Sequence, residues 1–421
     1  MTETTTMAPG LPANTAERFD TRKLDAAFFD DPYPVYADLR ANDPVHHLPG
    51  GGVFLTRHAD ILQVYRDKRC SSEKKVEFKP KFGDGYLYEH HTTSLVFNDP
   101  PLHTKVRKII AGALTPRALA AREPDIVALV DTLLDAMALR DGADIITDYA
   151  AAIPVEVIGN LLGVPTAERE PLRGWSLAIL GALEPSLTAE QFQRGEAAVR
   201  DFLAFLEQLV ADRRRAMGDP ETDVLSRLIA AEETGERLSE KELLHNCIFL
   251  LNAGHETTTN LIGNGLHALM RFRDQWDRLL AKPALIESAV EELLRFESPV
   301  QFNNRRTTET IAVGGVRLAP DTEITLCIGA ANRDPAMFEE PDRLDIARRP
   351  NPHLAFGADR HICAGLTLAR IEGRIAIDRF IRRFPQADLR DKPVRDPRAR
   401  FRGFQALPVT LAAGGAGVQD G

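Results

Sequence analysis

The sequence predicts a mainly α-helical protein with a minor β part, folded as one large domain. Three observations carry that prediction. Helical patterns dominate from Leu102 to about Phe272, punctuated by prolines. β-branched residues and the turn signal Gly314-Gly315 are concentrated between Val300 and Ile328. No internal repeat and no linker-like stretch divides the 421 residues.

The elements follow in order. Met1 to Arg18 is rich in Thr, Ala and Pro and is expected to be a disordered lead-in, without an apolar run for a signal peptide or membrane span. Residues 19–411 form the domain, and Gly/Ala-rich 412–421 a flexible tail. Asp31-Pro32-Tyr33-Pro34 opens the ordered part, and a helix begins over Val35 to Leu39. A β-rich run at Val53–Thr56 precedes a helix near Asp60–Arg66. Cys70 to Phe97 reads as an irregular loop, too long for an ordinary connection and therefore a functional candidate. Asp99-Pro100-Pro101 reads as a helix start with Asp99 as N-cap. Pro116, Pro154, Pro165, Pro185 and Pro220 divide the helical region that follows.

Ser239-Glu240-Lys241-Glu242 is a capping box. The proline-free run from there to Phe272 predicts a helix of roughly 33 residues, ~50 Å long. Its centre, Ala253-Gly254-His255-Glu256-Thr257-Thr258-Thr259, breaks local helix preferences. Two readings stand: a kink from threonines bonding back to the preceding turn, or an opened turn presenting an acid and an alcohol to a cavity. A further helix spans Pro283 to Phe296, and Pro335, Pro341, Pro350 and Pro352 mark a meander. The spacing of Leu368, Ile371 and Ile375 predicts an amphipathic helix directly after Cys363.

Composition narrows the function. A net charge of -9 argues against nucleic-acid binding. Cys70, Cys247, Cys327 and Cys363 are scattered without a CxxC pair, which argues against a disulfide framework or a four-cysteine metal site and for a reducing cytoplasm. Cys363 at a helix start favours a thiolate, able to attack a substrate or hold a metal. His103 and Arg107 share a helix face and, with Arg305, His353 and His361, read either as a surface patch or as a clamp on a polyanion. Glu292 and Arg295, three apart, read first as an exposed pair. His245, His255 and His267 lack HExxH spacing, and His90-His91 lacks a third ligand. No GxSxG elbow or phosphate-binding glycine loop is present.

Phe356-Gly357-Ala358-Asp359-Arg360-His361-Ile362-Cys363-Ala364-Gly365 fits the pattern F-G-x-G-x-[HR]-x-C-x-G, except that Asp359 replaces a glycine. Ahead of it stand Asp99-Pro100-Pro101-Leu102-His103, Ala253-Gly254-His255-Glu256-Thr257, Glu292-Leu293-Leu294-Arg295, Ala331-Asn332-Arg333-Asp334-Pro335 and Pro341-Asp342-Arg343-Leu344. In this order the set resembles the cytochrome P450 family, over nearly the whole chain, from Asp31-Pro32 to Leu407-Pro408-Val409. The resemblance implies the P450-type domain fold, and haem b (iron protoporphyrin IX) with Cys363 as axial thiolate in a loop including Phe356 and Gly357. It implies a propionate clamp of His103, Arg107, Arg305 and His361, with His353 as a further member. It implies a buried core of Glu292, Arg295 and Arg343, and an oxygen-activating pair of Thr257 and Glu256. Tyr86, Tyr88, Leu95, Phe249, Asn252, Ala253, Val300, Gln301, Phe302 and Phe404, with Phe82 and Gln405, would line the substrate pocket.

The implied activity is monooxygenation: one atom of O2 enters a small to medium apolar or aromatic substrate. Electrons would come from NAD(P)H through a ferredoxin and a ferredoxin reductase, docking on Lys105, Lys108, Arg117 and Arg360. The expected protein is a cytoplasmic monomer of bacterial type, without nucleic-acid or membrane partners. The competing expectations are a peroxygenase, which carries Arg-Pro where Glu256-Thr257 stand, a haem-thiolate isomerase or dehydratase, a cysteine hydrolase, and a haem-based sensor.

Overall fold

The computed structural model describes residues 18–220, 223–233 and 238–411. The expected lead-in, Arg18 apart, and the expected tail lie outside them. Helix α1 (Tyr33–Asn42) packs its aromatic face toward a five-stranded sheet. The strands are β1 (Val45–His47), β2 (Val53–Leu55), β3 (Cys70–Ser71), β4 (Phe302–Thr307) and β5 (Glu323–Cys327), in the order β1-β2-β5-β4-β3. β2 and β5 run parallel; the other neighbours are antiparallel. Phe302 meets Phe54 edge-on with ring centroids 5.2 Å apart and Tyr36 at 6.3 Å, locking the late strands to the early ones.

Helix α2 (His58–Arg66) follows β2. Cys70 to Phe97 is not the irregular loop expected. After β3 it forms α3 (Lys75–Phe82), α4 (Tyr86–Thr93) and a 3-10 turn at Leu95–Phe97. An aromatic nest drives this: Phe78, Phe82 and Phe97 each place a ring centroid 5.5–5.6 Å from that of His91. Gly83, at φ +66°, ends α3. Helices of two turns are too short to leave a readable period.

Helix α5 (Leu102–Ala113) has Pro101, not Asp99, at its N-cap. The Asp99 carboxylate instead accepts the Ser71 hydroxyl and the Ser72 N–H (3.1 Å), joining the helix start to β3. Then come α6 (Glu123–Ala138), α7 (Ala152–Leu162), α8 (Glu170–Gly181), α9 (Ala189–Arg215) and α10 (Glu240–Arg271). Ser239 and Glu242 make the expected capping box on α10: each side chain accepts the other's N–H, at 3.2 and 2.7 Å.

Helices α7, α8 and α9 pack on α10, as do α11 (Ile286–Phe296) and α12 (Leu366–Arg383). This explains the glycines of α10. A Cβ on Gly254 would lie 2.7 Å from the Ile158 side chain of α7. One on Gly265 would lie 3.1 Å from both Leu293 and Ile377. The predicted apolar face of α12 is buried, with Leu368, Ile371 and Ile375 at 5, 9 and 4% exposure. Each such side chain stabilises by ~1.5–3 kcal/mol. Among the described residues no helix is long and apolar enough to cross a membrane.

Candidate functional site

Cys363 sits in a tight loop between the meander and α12. Its N–H donates to Phe356 O (2.8 Å), and the Gly357 N–H to Leu354 O (2.8 Å). Gly357 and Asp359 both take left-handed backbone, at φ +69° and +58°. Asp359 thus keeps the conformation for which glycine is usual, because aspartate is one of the side chains that tolerates it. Cys70, Cys247 and Cys327 are fully buried, which pushes their thiols up to about 11, 12 and 12; Cys363 alone is partly accessible. The expected thiolate is not a product of the helix start. Helix α12 begins three residues later, and burial raises the Cys363 thiol above its ordinary value against the Gly365 N–H, Arg107 and Arg370. A cation on sulfur is what would reverse that balance.

Helix α5 and strand β4 bring basic groups to this loop. The His103 and His361 rings lie 4.1 Å apart, centroid to centroid. Arg107 Nη1 donates to Ile362 O at 2.6 Å, directly before the cysteine. Arg305 is 4% exposed, held by Asn304 O (2.7 Å) with its guanidinium 5.1 Å from the Tyr65 ring. No carboxylate lies within 4.0 Å of it among the described residues. His361 Nε2 is buried without a hydrogen-bond partner; Asp99 stands 3.7 Å away. A buried guanidinium lacking a counter-charge and an orphaned ring nitrogen fit a cofactor with two carboxylates.

His353 does not join this group. Its buried side chain meets Glu291 Oε2 at 3.2 Å, and Glu291 also takes two bonds from Arg370, at 2.7 and 2.8 Å. Lys105, expected on a docking surface, is paired with Glu242 at 3.2 Å.

Helix α10 supplies the acid and the alcohol. It stays helical through its centre, so the turn is not opened. Thr257 Oγ1 donates to Ala253 O (2.7 Å) and Thr259 Oγ1 to His255 O (3.0 Å), the back-bonding that the threonine run suggested. Ala253 and Thr257, one turn apart, are half-buried while His255, Glu256 and Thr258 are buried, which marks the face bordering open space. Glu256 is 2% exposed. Arg398 binds its Oε1, Asp396 holds Arg398 at 2.6 Å, and Oε2 has no partner. Burial pushes the Glu372 carboxyl of α12 up to about 8, with Thr258 of α10 near enough to oppose the shift, and Glu372 Oε1 has no partner. The helix after Cys363 therefore packs beside the acid–alcohol segment. Arg398 carried no sequence signal, lying 142 residues from Glu256.

The Glu292–Arg295 pair is buried, not exposed: both side chains are at 0% exposure, bonded at 2.7 and 2.8 Å. Arg343 does not complete it. Its side chain is 62% exposed and pairs with Glu340; only its carbonyl is used, by Arg295 and Arg348. Arg348 takes the third place, with Nε 3.1 Å from both Glu292 oxygens. The meander turns Arg343 outward and Arg348 inward, a choice without sequence periodicity.

The expected pocket residues disperse. Phe302 belongs to the aromatic cluster with Phe54 and Tyr36. Phe404 stacks on His267 at 4.7 Å and under Arg395 at 3.9 Å, ten helix residues beyond Thr257. Leu95 is core, Gln301 bonds Ser298 O (2.8 Å), Phe82 lies in the His91 nest, and Tyr86 (45% exposed) and Gln405 face outward. Tyr88, Phe249, Ala253 and Val300 remain partly accessible. Asn252 is 3% exposed with both amide atoms unpartnered.

Comparison with known proteins adds an independent line. The family model described as cytochrome P450 matches residues 180–409. A biotin biosynthesis cytochrome P450 of Bacillus subtilis (strain 168) is 35% identical over 389 residues, covering 91% of this chain and 97% of its own. A vitamin D(3) 25-hydroxylase of Pseudonocardia autotrophica is 38% identical over 396 residues, covering 92% and 96%. The crystal structure of CalO2 superposes with a TM-score of 0.88 at 33% identity, over 94% of this chain and 99% of that one.

Proposed function

This chain belongs to the cytochrome P450 family, and from that premise we propose that Cys363 would ligate the iron of a haem b and that His103, Arg107, Arg305 and His361 would hold its carboxylates. As an enzyme it is a monooxygenase. When bound, haem with a cysteine thiolate supplies the reductive activation of O2, and thiolate donation favours O–O cleavage.

The chain's own residues position and protonate. Arg107, bonded to Ile362 O, keeps the cysteine loop in register with the carboxylate-binding groups. Thr257 Oγ1 spends its hydrogen on Ala253 O, leaving lone pairs to accept a proton-bearing group on the open face. Glu256 receives and passes protons at Oε2, while Arg398 holds Oε1. Phe249, Ala253 and Val300 exclude water from an apolar substrate. Electrons reach the site from NAD(P)H through a ferredoxin and its reductase. Arg360 and Ile362, which is 36% exposed, carry the cysteine loop to the surface where such a carrier would dock.

The observation that carries this reading is the buried, counter-charge-free Arg305 beside His361, two residues from the accessible cysteine. The test is the spectrum of the dithionite-reduced CO complex. The wild type should show the red-shifted thiolate–CO band, and Cys363→His should lose it while retaining the fold by circular dichroism. A wild-type spectrum without that band would overturn the assignment.

A further inference from the structure

Two adjacent glutamates of α11 hold different neighbours. Glu292 gathers Arg295, Arg348 and Asn351. Glu291 gathers His353 and Arg370, three side chains to which the proposed chemistry gives no task. Arg370 Nε and Nη2 fork onto the two Glu291 oxygens at 2.7 and 2.8 Å. His353 Nε2 meets Oε2 at 3.2 Å. Burial would raise the Glu291 carboxyl, but His353 and Arg370 hold it down at about 2, so it is ionised at neutral pH.

The other ring nitrogen fixes the histidine's tautomer. The Ala355 N–H donates to Nδ1 at 3.3 Å, so Nδ1 is the acceptor and Nε2 carries the hydrogen given to Glu291. His353 is neutral in this arrangement. The charges of the group are therefore one carboxylate and one guanidinium.

Both arms of Glu291 reach the cysteine loop at Phe356. The Arg370 guanidinium, early in α12, lies 4.9 Å from the centre of the Phe356 ring, and the His353 ring lies 5.9 Å from it. Ala355, bonded to His353, directly precedes Phe356. The Phe356 ring packs against Leu261 of α10 and Val290 and Leu294 of α11. Its carbonyl accepts the Cys363 N–H at 2.8 Å. The guanidinium thus rests against an aromatic ring of the loop rather than in water on that side, where its charge is less screened.

We propose that Glu291 and Arg370, oriented by His353, are positioning residues for the axial ligand, and that their pairing sets the charge beside Cys363 under which the haem iron is reduced. The inference rests on the haem-thiolate reading. The step concerned is the passage of one electron from reduced ferredoxin to ferric iron, giving ferrous iron and oxidised ferredoxin. A carboxylate and a guanidinium in contact present almost no net charge to the loop. Either one alone presents a unit charge at Phe356. A positive charge there favours the ferrous state, which carries one electron more, and a negative charge favours the ferric state.

The test is a mediated optical redox titration of haem-loaded protein, without ferredoxin, at fixed pH and ionic strength. At a fixed potential Glu291→Gln should raise the ferrous-to-ferric ratio about threefold and Arg370→Gln should lower it about threefold, sizes that allow for solvent screening of the half-exposed Arg370. Arg370→Lys keeps the charge and should stay near wild type. The double variant, lacking both charges, should return toward the wild-type ratio. A packing role alone would move both single variants the same way and add in the double variant. If Glu291→Gln loses haem, the contrast between Arg370→Gln and Arg370→Lys still decides. Shifts of the same sign, no shift, or a double variant further from wild type than either single one would overturn the proposal. The reduced CO spectrum of the same samples separates the two readings. A normal wild-type band without opposite shifts rejects this proposal alone; a missing wild-type band rejects the haem assignment and this proposal with it.

Discussion

Individual side chains decide how the cysteine loop is held. Asp359 occupies φ +58° where glycine is usual, with its carboxylate 3.9 Å from Arg360. Aspartate tolerates that backbone; a β-branched residue does not. Asp359→Val should destabilise by ~1–2 kcal/mol, the ordinary cost of left-handed backbone for an unsuited side chain. Asp359→Gly should fall within about 0.5 kcal/mol of wild type, because relief of strain is offset by the entropy of a freer unfolded chain. Urea unfolding of both variants checks the order. Cys363 shows the complementary point. Its local position suggested an ionised thiol, but α12 begins only at Leu366 and burial opposes ionisation of the sulfur.

Among the elements, the network between α11 and the meander carries the clearest consequence. Glu292 and Arg295 were legible from their three-residue spacing, and burial raises them from a surface pair to an internal charge network. Arg348, 11% exposed, supplies the third member, and Asn351 and the Asp345 N–H add bonds to the same carboxylate, at 3.2 and 2.9 Å. Removing one partner leaves Glu292 buried with less compensation. Arg348→Ala should therefore cost ~3–5 kcal/mol and reduce haem retention. Arg343→Ala, whose exposed side chain meets only Glu340, should fall within about 1 kcal/mol of wild type. Denaturation midpoints and haem-to-protein absorbance ratios of the two variants distinguish the assignments; equal losses would restore Arg343 to the core.

Over the whole molecule, buried histidines set the acid limit. Burial is the leading cause that lowers His91, His255 and His267 to about 3 each, from an ordinary 6.5. Their folded values lie below their unfolded ones, so the unfolded chain binds more protons as pH falls. Their stabilising contribution is complete above pH 6.5 and declines from there toward about 3, by up to ~1.4 kcal/mol per pH unit for each. Glu297 and Glu291, held at about 2 by their arginine and histidine neighbours against an ordinary 4.5, add a second loss lower down. Unfolding free energy should already decline between pH 6.5 and 5, before the carboxylates titrate, and His255→Leu should flatten that slope. A level profile down to pH 5 would contradict the buried neutral histidines.

Read alone, the sequence determined what depends on neighbours along the chain. The capping box of α10, the apolar face of α12, the Glu292–Arg295 spacing and the cysteine loop are all short-range patterns, and each leaves a period or a fixed interval. Tertiary structure decided what depends on distant segments meeting. The folding of Cys70–Phe97 into α3 and α4 follows from an aromatic nest around His91. Phe302 turns to Phe54, and Phe404 to His267, rather than to a pocket. Arg398 on Glu256 and Arg348 on Glu292 are choices of partner made by long side chains on irregular segments. Such segments have no repeat to read. Where a guanidinium or ammonium ends is settled by the path of the backbone and by which buried charge lies within reach, and both exist only after the chain has closed on itself.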